Sequence, residues 1–237
     1  MSEVEPLSVP AILRAFPAYL RHPRLIAPSG LRSRAAWKEW AILFALQFAV
    51  LIAIVLPAVA AWQNLFALSG PDAFDKLPPA MLVLLTVALA PVLEETFFRG
   101  WLTGRPRALW LLLCTVAAIG LLFASTYKLA PLAVGIGFLA IVLAAGIGWF
   151  LLRKKKAAPH WFARGFPAIF YLVTVGFALL HVTNYGHWSP VVLPLVLPQL
   201  WIGTVLAYIR MKIGLPGSIL AHICSNASVL LLSPIFG

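Results

Sequence analysis

Two adjacent glutamates and an arginine, Glu94, Glu95 and Arg99, interrupt a stretch from Met81 to Gly100 that is otherwise apolar enough to cross a bilayer. A charge near the middle of a membrane helix costs roughly 2.5–3.5 kcal/mol even on lenient insertion scales, so such residues pair, face a wet cavity or do chemistry. Helical spacing sets Glu95 and Arg99 on one face, while Glu94, about 100 degrees round the helix, projects elsewhere and is available for a different task. Two histidines also fall inside apolar spans, each with a partner four residues away: His181 with Phe177, and His222 with Asn226. Each pair shares a helix face. The alternative to chemistry is a buried ion network of Glu94, Glu95 and Arg99 that only fixes packing, with the histidines as interhelical glue. Helical rise counted from Arg105, Arg164 and Lys212 places Glu94 about 16 Å deep, His181 about 25 Å, His222 about 15 Å and Asn226 about 21 Å. That mid-membrane band permits one shared site.

The elements that must position these residues follow from composition. Of the 237 residues, 62% are hydrophobic and 11% charged, against about 25% charged in soluble domains. The pattern predicts an all-α polytopic membrane protein. Apolar runs near 40–62, 80–102, 108–127, 130–152, 166–184, 190–209 and 214–234 give about seven transmembrane helices, or eight if the N-terminal arm holds a membrane-associated one. Residues 1–35, with five arginines and five prolines, read as a basic interfacial arm, and 36–237 as one membrane domain. The net charge of +11 is spread between the spans and does not form one stripe, which argues against nucleic acid as a partner. Sixteen lysines and arginines fall on one side of the expected membrane, and only Lys76 and Lys128 on the other. The positive-inside rule then puts the N-terminus in the cytoplasm and the C-terminus, Asp72, Asp75 and His187 outside. Cys114 and Cys224 lie in apolar segments and suggest neither a disulfide nor a thiolate metal site. The start of the chain lacks the features of a cleaved signal peptide, so the first span is expected to remain as an anchor.

Glu-Glu-x-x-x-Arg, then Phe-x-x-x-His, then His-x-x-x-Asn, in that order on separate spans, resembles the CAAX-protease and bacteriocin-processing family of intramembrane endopeptidases, relatives of the Ras-converting CAAX endopeptidase. The resemblance implies that Glu94 and His181 activate a water for attack on a peptide carbonyl, while His222 and Asn226 stabilise the oxyanion; a carboxylate and an imidazole can share such acid–base work. Glu95, Arg99 and Phe177 then serve as supports. Implied partners are the bilayer and a peptide or protein substrate at the membrane, prenylated CAAX-like substrates among them, in a bacterial inner membrane. Zinc is a candidate cofactor, with Glu94, His181 and His222 as its ligands. The chain has no His-Glu-x-x-His helix, however, and Asn is an unusual zinc ligand, so metal-free catalysis is preferred and the metal question stays open.

One departure from the family pattern is the pair of apolar runs at 108–127 and 130–152, read as a hairpin inserted at 106–152. A two-span insertion preserves the orientation of every later helix. Arg153 to Lys156 reads as a basic loop stopping a span, with anionic headgroup binding as the lesser reading. Trp40, Trp62, Trp161 and Trp188 fit interfacial belts. Two other functions compete with the peptidase. One is a non-catalytic scaffold or bacteriocin-immunity protein. The other is a proton-coupled transporter, which lacks the support of an internal repeat.

Overall fold

The computed structural model of the chain describes residues 8–73, 77–127, 130–186 and 189–236. Asp75, Lys76, Lys128, His187 and Trp188, invoked above for orientation and belts, lie outside the described residues. Among the described residues all regular structure is helical. The elements are α1 (Val9–Arg21), α2 (Arg34–Phe66), α3 (Pro79–Arg99), α4 (Pro106–Ser125), α5 (Pro131–Leu152), α6 (His160–Leu180), α7 (Leu197–Lys212) and α8 (Leu215–Phe236). Among the described residues, six helical stretches are long and apolar enough to cross a membrane: α2, α3, α4, α5, α6 with its extension to Asn184, and α7 with the 3-10 turns that begin at Pro190. The seventh expected span corresponds to α8, whose described apolar stretch, Leu215–Leu231, is shorter than the others. This is an integral, all-α membrane protein.

Prolines shape α2 and α3, the second of which carries Glu94 and Glu95. In α2 a wider π-helical segment, Leu51–Val55, directly precedes Leu56-Pro57, and in α3 the segment Leu84–Leu89 directly precedes Ala90-Pro91. A proline has no N–H to give and its ring crowds the carbonyl four residues back, so the preceding turn opens.

The prolines of the N-terminal arm are accommodated differently. Pro10 falls in the first turn of α1, where a missing N–H costs nothing. Pro17 lies inside the helix, which still runs for 13 residues. Its apolar face, Ile12, Phe16 and Tyr19, is buried. Phe16 meets Trp201 and Tyr208, and Tyr19 meets Tyr208 and Phe170, at ring separations of 5.0–6.0 Å. The arm is therefore held by an aromatic cluster on α6 and α7. Replacing Phe16 with Ala should cost about 3–5 kcal/mol, read as a lower unfolding temperature in detergent with faster tryptic cleavage after the exposed Arg21 and Arg24.

The chain divides into two compact units, residues 1–99 with 166–237, and residues 100–165. In the first, indole N–H groups tie separate elements together: Trp40 to Gly217 O, Trp62 to Val191 O and Trp201 to Gln47 O, each at 2.8 Å. Trp40 and Trp62 thus have a fastening role besides any place in a belt. In the second unit α4 and α5 run antiparallel. Trp110 donates to Ala144 O at 2.9 Å, and a Cβ on Gly148 would stand 2.0 Å from the same indole nitrogen, so glycine is needed there.

Candidate active site

Glu94 and Glu95 sit where α3 changes winding: Glu94 ends an α-helical turn and Glu95 opens a π-helical one that closes at Arg99. Their side chains part, as the spacing predicts. Glu95 and Arg99 are fully buried, whereas the Glu94 side chain keeps 27% of its exposure.

Glu95 is the hub of a buried polar network. Its Oε1 accepts from Arg99 Nη1 and lies 3.1 Å from His222 Nδ1, and its Oε2 accepts from the Ser218 hydroxyl. Arg99 Nη2 donates to Gly203 O on α7 at 3.2 Å, and the guanidinium lies over the Phe177 ring, 4.4 Å from its centre. Three helices, α3, α7 and α8, are joined through one carboxylate and one guanidinium. Such a pair offsets its desolvation only as far as its remaining donors and acceptors find partners; Ser218, His222 and Gly203 are such partners, whereas the buried Arg99 Nε has no hydrogen-bond partner among the described residues.

Glu94 faces both histidines. Its Oε2 lies 4.0 Å from His181 Nε2 and 3.8 Å from His222 Nε2. The other nitrogen of each ring is already engaged. His181 Nδ1 is 2.8 Å from Phe177 O, an acceptor only, so Nδ1 carries a proton and, in the neutral ring, Nε2 presents a lone pair toward Glu94. The helix tightens there into a 3-10 turn, His181–Asn184. His222 Nδ1 likewise gives its proton to Glu95. Phe177 stands between these groups, its ring centre 4.8 Å from that of His181 and 5.8 Å from that of His222.

Asn226 is the outlying member. Its Nδ2 donates to Thr86 O at 2.7 Å, in the widened segment of α3. An amide nitrogen has two hydrogens, so one remains for another acceptor.

The structure thus brings Glu94, His181 and His222 together, supports them with Glu95, Arg99 and Phe177, and ties Asn226 to the same stretch of α3. Ser218, Gly203 and Thr86 were missed by sequence reasoning. Ser218 had a signal, since Ser218, His222 and Asn226 recur every fourth residue on one face of α8. Gly203 had none: a Cβ there would stand 2.9 Å from Phe177 Cδ1 and 3.2 Å from Arg99 Nη2. Gly203→Ala is expected to destabilise by about 1–3 kcal/mol through this overpacking, measured as a lowered midpoint of thermal unfolding in detergent.

The zinc candidates test poorly for fit. Tetrahedral zinc with bonds of about 2.0–2.2 Å separates its donors by about 3.4 Å, and the Glu94-to-histidine separations of 3.8 and 4.0 Å are wider. Among the described residues, no group of three or more histidine, cysteine, aspartate or glutamate side chains is gathered to hold a metal ion.

Comparison with the curated proteins and with the solved structures found no match. Residues 76–166 match the family model described as Type II CAAX prenyl endopeptidase Rce1-like. The matched segment contains Glu94, Glu95 and Arg99, and the residues of the second and third motifs lie beyond it. Over this segment, which carries the first motif, the chain is similar to the Rce1-like family of Type II CAAX prenyl endopeptidases.

Proposed function

We propose that the protein is an intramembrane endopeptidase in which Glu94 and His181 activate water without a metal, and His222 and Asn226 receive the oxyanion. The observation that carries this reading is the half-open carboxylate of Glu94, facing two imidazole Nε2 atoms whose Nδ1 partners hold them in place. Glu94 Oε2 and His181 Nε2 are both acceptors, 4.0 Å apart. That is too far for a bond between them and close to what one water spans when it donates to both at about 2.8 Å.

In the proposed reaction the water oxygen attacks the carbonyl carbon of the scissile peptide while Glu94 takes one of its protons. His181 holds the other hydrogen and orients the attacking lone pair. The oxyanion accepts from the free N–H of Asn226 and from His222 Nε2, which donates only when the ring carries both protons, its Nδ1–H remaining on Glu95. Glu94 then passes its proton to the leaving nitrogen as the oxyanion re-forms the carbonyl and the C–N bond breaks, releasing a carboxylic acid, which keeps the second water hydrogen, and an amine. The substrate is a peptide at or within the membrane, with prenylated CAAX-like peptides the first class to try. The N-terminus is cytoplasmic in this reading, as the distribution of lysine and arginine indicates. Residues 106–152 are an insertion into the protease domain.

The test is cleavage of a quenched library of hydrophobic and prenylated peptides by purified protein in nanodiscs, with and without chelator. Cleavage insensitive to chelator supports the reading. Chelator inhibition reversed by added metal would replace the metal-free mechanism, and no cleavage by well-folded protein would favour the scaffold.

A further inference from the structure

The unit of residues 100–165 contains eight lysines and arginines and no aspartate or glutamate. Seven of the eight gather at one end of the helical pair. Because α4 and α5 are antiparallel, Arg105 and Arg107 at the start of α4 lie at the same end as Arg153 to Lys156 after α5. The chain returns to this end at 158–162. Gly104, at φ +66°, is so close to that segment that a Cβ would stand 2.7 Å from Ala158 Cβ and 2.5 Å from Phe162 Cδ1. Arg164 follows one turn inside α6. Within the unit these cations have no carboxylate to pair with, and Arg153 to Lys156 are all exposed.

An apolar track begins beside them. Leu132, Ile136, Leu139, Leu143, Ile147 and Phe150 recur at three- and four-residue spacing along α5, each more than half exposed. The track ends under the charge: Arg153 lies over the Phe150 ring at 3.7 Å, and Arg107 lies over Trp149 at 4.6 Å. Eighteen residues of helix rise about 27 Å, ample for an acyl chain.

We propose that this end of the unit is a binding site for an anionic phospholipid, its headgroup phosphate on Arg153, Lys154, Lys155 and Lys156 and an acyl chain along the α5 track. Clusters of four to eight cations at the end of a membrane helix are the usual footprint of anionic headgroups. Setting the membrane orientation is the plainer use for such a loop, but the basic segment before α2 already serves it, and the first span usually dominates orientation. The adjoining apolar track distinguishes a lipid from free phosphate, which has no use for it.

The test uses the full-length protein in neutral detergent, titrated with phosphatidylglycerol and with phosphatidylcholine of the same acyl chains, and bound lipid is counted by native mass spectrometry. Phosphatidylglycerol should bind at least about tenfold more tightly, the preference should fall at least about tenfold in R153Q/K154Q/K155Q/K156Q or in high salt, and millimolar inorganic phosphate should not displace it. If the quadruple variant unfolds, K154Q/K155Q and the salt series on wild type make the same comparison. Equal binding of the two lipids, or a preference unchanged in the variants, would overturn the site and leave orientation as the use of the loop. Displacement by inorganic phosphate would overturn the role of the track.

Discussion

Glu94→Gln should leave the protein folded and lower kcat/KM for peptide cleavage by about 10²–10⁴-fold, the range that a positioned general base contributes. Both halves of this expectation come from the same geometry. The two imidazole Nε2 atoms stand 3.8 and 4.0 Å from Glu94 Oε2, beyond hydrogen-bond length, so exchanging an oxygen for an amide nitrogen of equal size breaks no contact that holds the fold. Its side chain is also 27% exposed, and unfolding should shift by no more than about 0.5 kcal/mol. Catalysis has no substitute for the lost base. His181 Nε2 is positioned to hold the water but shares that task with Glu94, so the double variant E94Q/H181A should be little worse than E94Q alone, because residues acting as a unit do not add. Steady-state cleavage of one quenched peptide by wild type, E94Q and E94Q/H181A, beside their melting curves, decides the matter. Cleavage by E94Q at the wild-type rate would remove Glu94 from the chemistry.

The sequence carried this much because charged residues are rare enough in apolar spans for each to mean something. Glu95 and Arg99 were legible as a pair from spacing alone, and Glu94 as separate from them. His181 and His222 could be ranked above His160 and His187 by their place inside spans. What spacing could not show was which groups close the network across helices. Gly203 contributes a carbonyl, an atom every residue has, and its identity matters only because Phe177 and Arg99 crowd it. Thr86 likewise acts through its carbonyl, on a segment that winds more widely because of a proline five residues later. The N-terminal arm was read by its charge, and the aromatic face that buries Phe16 and Tyr19 was hidden among prolines that turned out to fit a short helix. The separate compactness of residues 100–165 is a property of which side chains touch, to which hydropathy is blind.

Arg99→Ala and Glu95→Ala should each destabilise the protein by about 3–5 kcal/mol, the cost of leaving one member of a buried pair without the other. In Arg99→Ala the Glu95 carboxylate stays at zero exposure with only Ser218 and His222 beside it, and Phe177 loses the guanidinium packed on its face. In Glu95→Ala the guanidinium keeps Gly203 O and loses its countercharge. Removing both charges together is a different matter. Replacing a buried ion pair with apolar residues of similar volume is often neutral or stabilising, so E95L/R99M should unfold at a higher temperature than either single alanine variant. Cleavage should not return with stability, because His222 Nδ1 would have lost the acceptor that fixes its ring and decides which nitrogen faces Glu94. Melting curves and single-turnover cleavage of the three variants separate the two roles. A stable E95L/R99M with wild-type cleavage would confine Glu95 to packing, whereas a stable and inactive one would show that the carboxylate buried behind the site sets the histidine in front of it.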